Sequence, residues 1–292
     1  MANTRKSIAV VLNIYKRGES FERQLQAIRN QSLRPSEILV WQNGSHYRVP
    51  QTALLEVKLS QSNVNLGVWS RFAYALNSSA DYLCVLDDDT IPGNRWLENC
   101  FETIQTTPGL LGTRGLRFHS KKSYLLADEV GWRNPNCELQ QVDIVGHSWF
   151  FKREWLLDFW TQPRLFPSDD LVGEDIHFSF ALQKRLGLNT YVPPHPENAK
   201  EFWGSMPESG RALGSSESGI SLRPDASTKF QSVYEAYIDG GFELCAEKGI
   251  FRNTVSLSVS HLNHPHLKTL VDKSPTASKV RSKIRSVILG SN

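Results

Sequence analysis

The sequence predicts an α/β fold built on a mixed, mainly parallel β-sheet flanked by helices. Residues 7–12 and 82–86 are short, almost entirely apolar runs, which is typical of strands buried on both faces of a parallel sheet. Between such runs, apolar residues recur at helical spacing, as do Phe21, Leu25 and Ile28. Strands that alternate with helices form βαβ units with right-handed crossovers, so we expect neighbouring strands to share one direction.

The first part of the chain follows this alternation throughout. Four strands are expected, at residues 7–12, 37–41, 57–59 and 82–86. One helix is expected to begin near Phe21 and to end near Gln31, and a second covers residues 68–77. The pair Asn43-Gly44 favours a turn and closes the second strand.

The second part of the chain is less regular. A helix is expected over residues 94–107 and a strand over residues 110–118, whereas residues 119–140 are polar and should cross one face of the sheet without regular structure. The remaining expected elements are an extended run over residues 142–151, a helix over 153–160, a helix from Glu174 to Leu186 and a last strand over 189–194.

Length and composition predict one large structural unit. With 292 residues, we expect a core over residues 1–200 and a C-terminal extension over residues 201–292 that packs on it. The extension begins with a Gly-, Ser- and Glu-rich stretch, typical of a mobile loop. It ends with a basic amphipathic helix over residues 275–289, which is compatible with peripheral membrane contact and equally with a solvated helix.

The composition also narrows the class of protein. A net charge of +3 does not favour a nucleic-acid partner. Four widely spaced cysteines without a CxxC pair disfavour a zinc site and favour a reducing compartment. Because the sequence contains no apolar run with the length of a signal peptide or membrane span, we expect a cytoplasmic protein, with membrane association only through the basic helix.

Three consecutive carboxylates, Asp87, Asp88 and Asp89, directly follow the fourth predicted strand. Aspartate is a poor strand residue, so we expect the trio on the loop at the carboxyl end of that strand, where open α/β sheets bind ligands. Three adjacent like charges need a counter-charge in a partly dry site. Mg²⁺ or Mn²⁺ meets that need, since both take carboxylate oxygens and bridge phosphates. The alternative is a solvated acidic turn.

The ordered set of motifs resembles a GT-A fold glycosyltransferase. The motifs are Asn-Ile-Tyr-Lys-Arg at residues 13–17, Val-Trp-Gln-Asn-Gly at 40–44, Leu-Asp-Asp-Asp-Thr at 86–90 and Gly-Glu-Asp at 173–175. The nearest likeness is to the exostosin-like glycosyltransferase domain, with the family-two glycosyltransferases close behind. The resemblance covers about residues 7–194, and it fails in residues 119–140 and in the C-terminal extension.

The resemblance implies roles for individual residues. The positions implied for the nucleotide sugar are Asn13, Arg17, Asn43, Asn65, Arg71, Asp87, Asp88, Trp149 and Arg223. The implied metal ligands are Asp89, Asp87 and His195. Asp175 is the implied catalytic carboxylate, with Glu174 beside it. Each has a structural alternative, such as core packing for Trp149 or a charged first helix turn for Asp175. His147 and His177 are expected to be ordinary core or surface histidines.

These roles fit the chemistry of sugar transfer from a nucleotide, most simply a UDP-sugar, to a glycan hydroxyl. A metal at Asp89 would balance the charge of the departing diphosphate, and a carboxylate would take the proton of the acceptor hydroxyl. Asp175 is that base if the anomeric centre inverts. The Glu-Asp pair resembles the inverting family, and the aspartate trio with Val-Trp-Gln-Asn-Gly resembles the retaining exostosin-like one, so both outcomes stay open. The transferred sugar is a hexose or a pentose.

Two other functions are compatible with an acidic strand end. One is a carbohydrate-binding module with this fold but without catalysis. The other is a Mg²⁺-dependent phosphatase with an aspartyl nucleophile. The phosphatase pattern is Asp-x-Asp-x-Thr, whereas here Thr90 directly follows Asp89.

Overall fold

The structure is a computed structural model, and it describes residues 6–166, 171–206, 208 and 224–249. All of these belong to one compact unit, Met1–Phe251. Arg223 and the predicted basic helix over residues 275–289 lie outside the described residues. The predicted boundary at residue 200 stays a prediction.

A single sheet of nine strands forms the centre of the described unit. The strands are β1 (Ile8–Ile14), β2 (Glu37–Asn43), β3 (Val57–Ser62), β4 (Tyr82–Leu86), β5 (Gly109–Phe118), β6 (Ala127–Gly131), β7 (Gln140–Val142), β8 (Ile144–Lys152) and β9 (Asn189–Val192). Their order is β3-β2-β1-β4-β8-β5-β9-β7, with β6 added to β5. Strands β1 to β4, β5 and β9 share one direction, and β6, β7 and β8 run against it.

Helices cover both faces of this sheet. They are α1 (Phe21–Arg29), α2 (Ser70–Ala75), α3 (Trp96–Thr106), α4 (Leu156–Thr161), α5 (Glu174–Leu186) and α6 (Ala226–Asp239). Successive side chains of β8 point to opposite faces of the sheet. Phe150 stacks on Tyr82 on the face covered by α1 and α3. Phe151 contacts Phe72 and Phe178 on the face covered by α2, α4 and α5. The predicted α/β class with a mixed, mainly parallel sheet is confirmed.

The core explains why these segments form strands. The five residues of β4 and all seven of β1 are buried, as expected for strands covered on both faces. A second cluster of buried residues joins α6 to α5, with Val233, Tyr234 and Tyr237 against Ile176 and Phe180.

Two predictions about local structure were wrong. Residues 119–140 are not irregular throughout, because they contain β6 and the start of β7. In addition, β1 and β2 continue to Ile14 and Asn43, so Asn13 and Asn43 lie in strands rather than in loops. Among the described residues, no helix has the length and apolar character needed to cross a membrane.

Candidate active site

Parallel pairing brings the ends of β1 and β4 to the same edge of the sheet. Leu12 pairs with Leu86, so Asn13 and Asp87 come next at the same level. The antiparallel strand β8 reaches this edge near its middle, since Leu86 also pairs with Ser148. Residues from three strands that are distant in sequence therefore surround the acidic trio.

Hydrogen bonds to the backbone hold the trio in place. The Asp87 N–H donates to the carbonyl of His147 over 3.0 Å, and the Thr90 N–H donates to the carbonyl of Asp87 over 3.1 Å. Gln24 of α1 donates its amide to the carbonyls of Asp87 and Thr90, over 2.6 and 2.8 Å. The Ser20 hydroxyl donates to the carbonyl of Asp88. Helix α1 and Ser20, the residue before it, thus fix the backbone of the loop that carries the three carboxylates.

Arg17, which follows β1, contacts two of the three carboxylates. One guanidinium nitrogen lies 2.5 Å from Asp88 Oδ1 and 3.7 Å from Asp89 Oδ2. Burial outweighs this contact at Asp88 and raises its pKa to about 6.

Arg71 of α2 is buried between two carboxylates from distant parts of the chain. Its Nη1 lies 2.8 Å from Asp87 Oδ1, and its Nη2 lies 2.7 Å from Glu174 Oε1 at the start of α5. The guanidinium carbon lies 4.6 Å from the centre of the Trp149 ring. Trp149 itself is buried beneath Arg71, so core packing describes its position.

His147 completes a group of three potential metal ligands. One ligand atom each from Asp87, Asp89 and His147 lie within 4.8 Å of one another. Nδ1 of His147 is buried without a hydrogen-bond partner among the described residues, and it lies 3.6 Å from Asp89 Oδ1. His147 has a φ of 65°, a conformation uncommon outside glycine, and its ring packs on Trp132. Two carboxylates and an unpaired imidazole nitrogen fit a cation such as Mn²⁺ or Mg²⁺.

The surroundings shift the pKa values of Asp87 and Asp89, the two outer carboxylates of the trio, in opposite directions. Burial raises the pKa of Asp87 more than the opposing charge of Arg71 lowers it. Burial also acts on Asp89, but the neighbouring His147 and Arg17 outweigh it and hold the Asp89 pKa below its usual value.

The first turn of α5 supplies the two remaining acidic residues, and they differ in their partners. Glu174 is buried and paired with Arg71. Asp175 is partly exposed, and its Oδ1 accepts the N–H of Ile176 over 2.7 Å. Burial raises the pKa of Asp175, and the nearby Arg114 acts in the opposite direction.

The segment over residues 119–140, where the resemblance fails, contributes to the surroundings of the site. Glu129 of β6 pairs with Arg114 of β5, with Arg114 Nε 3.2 Å from Glu129 Oε1. Trp132, just after β6, supports His147. No local sequence motif marks Glu129 or Trp132 as part of the site. Their position depends on the pairing of β5 with β6 and with β8.

Asn43 and Asn65 meet one another beside the end of β2. The Asn43 amide nitrogen donates to Asn65 Oδ1 over 2.9 Å, and Asn43 Oδ1 accepts the N–H of Leu66 over 2.7 Å. These bonds brace the loop after β3, so both residues have a structural task.

His195 does not lie with the acidic trio. It is fully buried, its Nδ1 donates to the carbonyl of Pro193 over 2.7 Å, and its Nε2 accepts the Thr113 hydroxyl over 2.8 Å. Both ring nitrogens are therefore engaged, and the histidine next to Asp87 and Asp89 is His147. The expectation that His147 is an ordinary histidine overlooked it, since only the register of β8 on β4 brings it there.

Comparison with known proteins agrees with this geometry. A search of curated proteins finds no match. The family model described as Glycosyl transferase family 2 matches residues 9–161, which is more than half of the chain. The match covers β1 to β4, the acidic trio and β8 with His147. The chain therefore belongs to glycosyl transferase family 2 and has the GT-A type of α/β fold.

Proposed function

We propose that this protein is a metal-dependent glycosyltransferase that moves a sugar from a nucleotide sugar, specifically a UDP-sugar, to a hydroxyl of a glycan. The observation that carries the proposal is the group formed by Asp87, Asp89 and His147 at the carboxyl edge of the sheet, close to the first turn of α5. Membership in glycosyl transferase family 2 supports the transfer of a sugar. The three potential ligands Asp87, Asp89 and His147 support the dependence of that transfer on a metal.

Asp87, Asp89 and His147 would hold the cation. When bound, Mn²⁺ or Mg²⁺ supplies positive charge where negative charge develops on the departing diphosphate. Arg17 adds a guanidinium at the same edge, beside Asp88 and Asp89. We assign the nucleotide to Asn13, Arg17, Asp88 and the braced pair Asn43 and Asn65, because all of them lie at or next to the ends of β1, β2 and β4. Arg223 remains a prediction outside the described residues.

Asp175 is the better candidate for the base that takes the proton of the acceptor hydroxyl. Glu174 is buried and paired with Arg71, whereas Asp175 is partly exposed and accepts the N–H of Ile176. A carboxylate that receives a proton from a bound hydroxyl must be reachable by that hydroxyl. We propose inversion of the anomeric centre, since the Glu-Asp pair resembles the inverting family. The likeness to exostosin-like domains stays a prediction.

A donor screen tests this function directly. UDP-, GDP- and dTDP-sugars are incubated with the protein and Mn²⁺, and nucleotide release is measured. We expect release from UDP-sugars, and we expect Asp89→Asn to reduce it by about 100-fold or more, since loss of one preorganised charged group costs on this order. Asp81→Asn is the matched control, because Asp81 precedes the opposite end of the same strand and is 42% exposed.

Three outcomes contradict the proposal. The first is full activity of Asp89→Asn. The second is glycan binding by the wild-type protein that depends on neither Mn²⁺ nor nucleotide, which indicates a carbohydrate-binding module instead. The third is phosphatase activity. Release of phosphate from a simple phosphate ester, without nucleotide release, identifies a phosphatase.

A further inference from the structure

We infer that Arg71 and Glu174 are positioning residues: together with Asp87 they form a buried strap that ties the metal-binding loop to the helix that carries the proposed base. The inference deepens the proposed function and rests on it. It also assigns Arg71 a role different from contact with the diphosphate, which the resemblance implied.

The strap is continuous from one side of the site to the other. Asp87 belongs to the group of potential metal ligands and also accepts Arg71 Nη1 over 2.8 Å. Arg71 Nη2 reaches Glu174 over 2.7 Å. Glu174 is the first residue of α5, and Asp175 is the second. One guanidinium therefore joins the loop after β4 to the first turn of α5.

The geometry of the Arg71 guanidinium and the aromatic rings around it suit Arg71 to this positioning role. Its two terminal nitrogens point to two different carboxylates, a geometry that the planar fork of arginine provides and the single ammonium of lysine does not. The guanidinium is held against the Trp149 ring at 4.6 Å and the Phe72 ring at 5.4 Å. Arg71 as a whole is 5% exposed.

Burial argues against release of Arg71 to a bound diphosphate. Glu174 is 8% exposed and the Arg71 side chain 6%, and removing one partner of a buried ion pair leaves an uncompensated charge that is strongly destabilising. Arg17, by contrast, already lies against two of the three aspartates at the end of β1.

The same geometry separates the roles of the Glu-Asp pair. The Glu174 carboxyl contacts Arg71 at the start of α5, and burial raises its pKa to about 8 although Arg71 acts in the opposite direction. The contact gives Glu174 a positioning role and leaves Asp175 as the proposed base. Asp175 takes its position from the start of α5. A change at Glu174 should therefore act on turnover through the placement of Asp175, with little effect on nucleotide binding.

The test is a double-mutant cycle between Arg71→Lys and Glu174→Gln, with two separate readouts. The first is the dissociation constant of UDP in Mn²⁺, measured by calorimetry without any acceptor. The second is kcat for transfer from the donor identified in the screen. Arg185→Lys is the matched control, because Arg185 is also on α5 and also paired with an aspartate, Asp158, but is 40% exposed.

We expect each single substitution to lower kcat about tenfold or more, while the UDP dissociation constant stays within about threefold of the wild-type value. The double variant should be little worse than the poorer single variant, since both changes break the same connection. Glu174→Gln keeps the size of the side chain but removes its charge and so weakens the bond to Arg71. It should therefore fold even if Arg71→Lys does not, and Glu174→Ala, which removes the bond altogether, should be more severely impaired.

The opposite pattern overturns the inference. If Arg71→Lys weakens UDP binding tenfold or more while Glu174→Gln leaves kcat unchanged, Arg71 binds the diphosphate and the strap has no role in turnover. Additive losses in the double variant overturn it as well. If the wild-type protein does not bind UDP in Mn²⁺ at all, the proposed function falls, and the inference falls with it.

Discussion

The three aspartates have the same chemistry and three different partners. Asp87 faces Arg71, Asp88 faces Arg17, and Asp89 lies next to His147. Burial raises the pKa of the first two, whereas His147 and Arg17 together overcome burial at Asp89 and lower its pKa. Asp89 is therefore the carboxylate of the trio whose pKa is lowered, and His147 is the neighbour that distinguishes it.

A substitution at His147 tests its part in metal binding. We expect His147→Asn to lower the affinity for Mn²⁺ about tenfold and the affinity for Mg²⁺ less, because imidazole nitrogen favours transition metals over Mg²⁺. Asparagine tolerates the positive φ at this position, so the backbone should be preserved. Titration of bound Mn²⁺ by electron paramagnetic resonance measures the change. His46→Asn, at an exposed histidine, is the control, and equal Mn²⁺ affinities in both variants would exclude His147 as a ligand.

At the scale of elements, α1 acts as a brace for the loop that carries the trio. Gln24 and Gln31 are buried seven residues apart on this side of the chain. Gln24 donates to the carbonyls of Asp87 and Thr90, and Gln31 donates to the carbonyl of Gly93 over 2.7 Å. Helix α1 buries Phe21, Leu25 and Ile28 in the apolar core. The buried amides of Gln24 and of Gln31, which lies two residues beyond the end of α1, hydrogen-bond to the neighbouring loop.

If α1 supports the loop in this way, substitutions at Gln24 and Gln26 should change the stability of the protein by different amounts. We expect Gln24→Leu to reduce the free energy of unfolding by about 2 kcal/mol, because two carbonyls each lose a donor inside the protein. Gln26→Leu, on the exposed face, should change it by less than about 0.5 kcal/mol. Urea denaturation of both variants measures the difference. Equal midpoints would show that α1 does not brace the loop.

At the scale of the whole molecule, two buried histidines join segments that are distant along the chain. His177 of α5 donates Nε2–H to the carbonyl of Phe159 and accepts the Tyr237 hydroxyl at Nδ1, each over 2.7 Å. His195 connects the segment after β9 to Thr113 of β5. In these contacts each ring is neutral, and burial lowers the pKa of each histidine from 6.5 to about 4.

These two pKa values predict that acid weakens the fold. Between pH 6.5 and 4 the unfolded chain binds protons that the folded chain does not, so stability falls as the pH falls, by up to about 3 kcal/mol for each histidine. Above pH 7 neither histidine contributes a slope. We expect His195→Gln to be less stable at pH 8 but to lose less on acidification. Unfolding curves across this pH range check it, and parallel pH profiles for both proteins would contradict it.

Much of the fold could be predicted locally. Strand β4 and helix α5 were predicted with the residues that the structure gives them, Tyr82–Leu86 and Glu174–Leu186, because apolar runs and helical spacing are properties of neighbouring residues. β6 was missed for the same reason, since its half-buried, charged residues show no such pattern. The C-terminal extension and Arg223 lie outside the described residues and stay predictions.

The sequence alone determined the α/β class, the alternation of the first four strands with helices and the position of the acidic trio at a strand end. The tertiary structure decided which residues meet that trio. Glu174 lies 103 residues from Arg71, and His147 reaches Asp87 only because β8 returns antiparallel to β4 in one register. Such contacts depend on long-range pairing and burial, which leave no local signal in the chain. For that reason the acidic loop was visible in the sequence, and the proposed third ligand, His147, and the strap behind it were not.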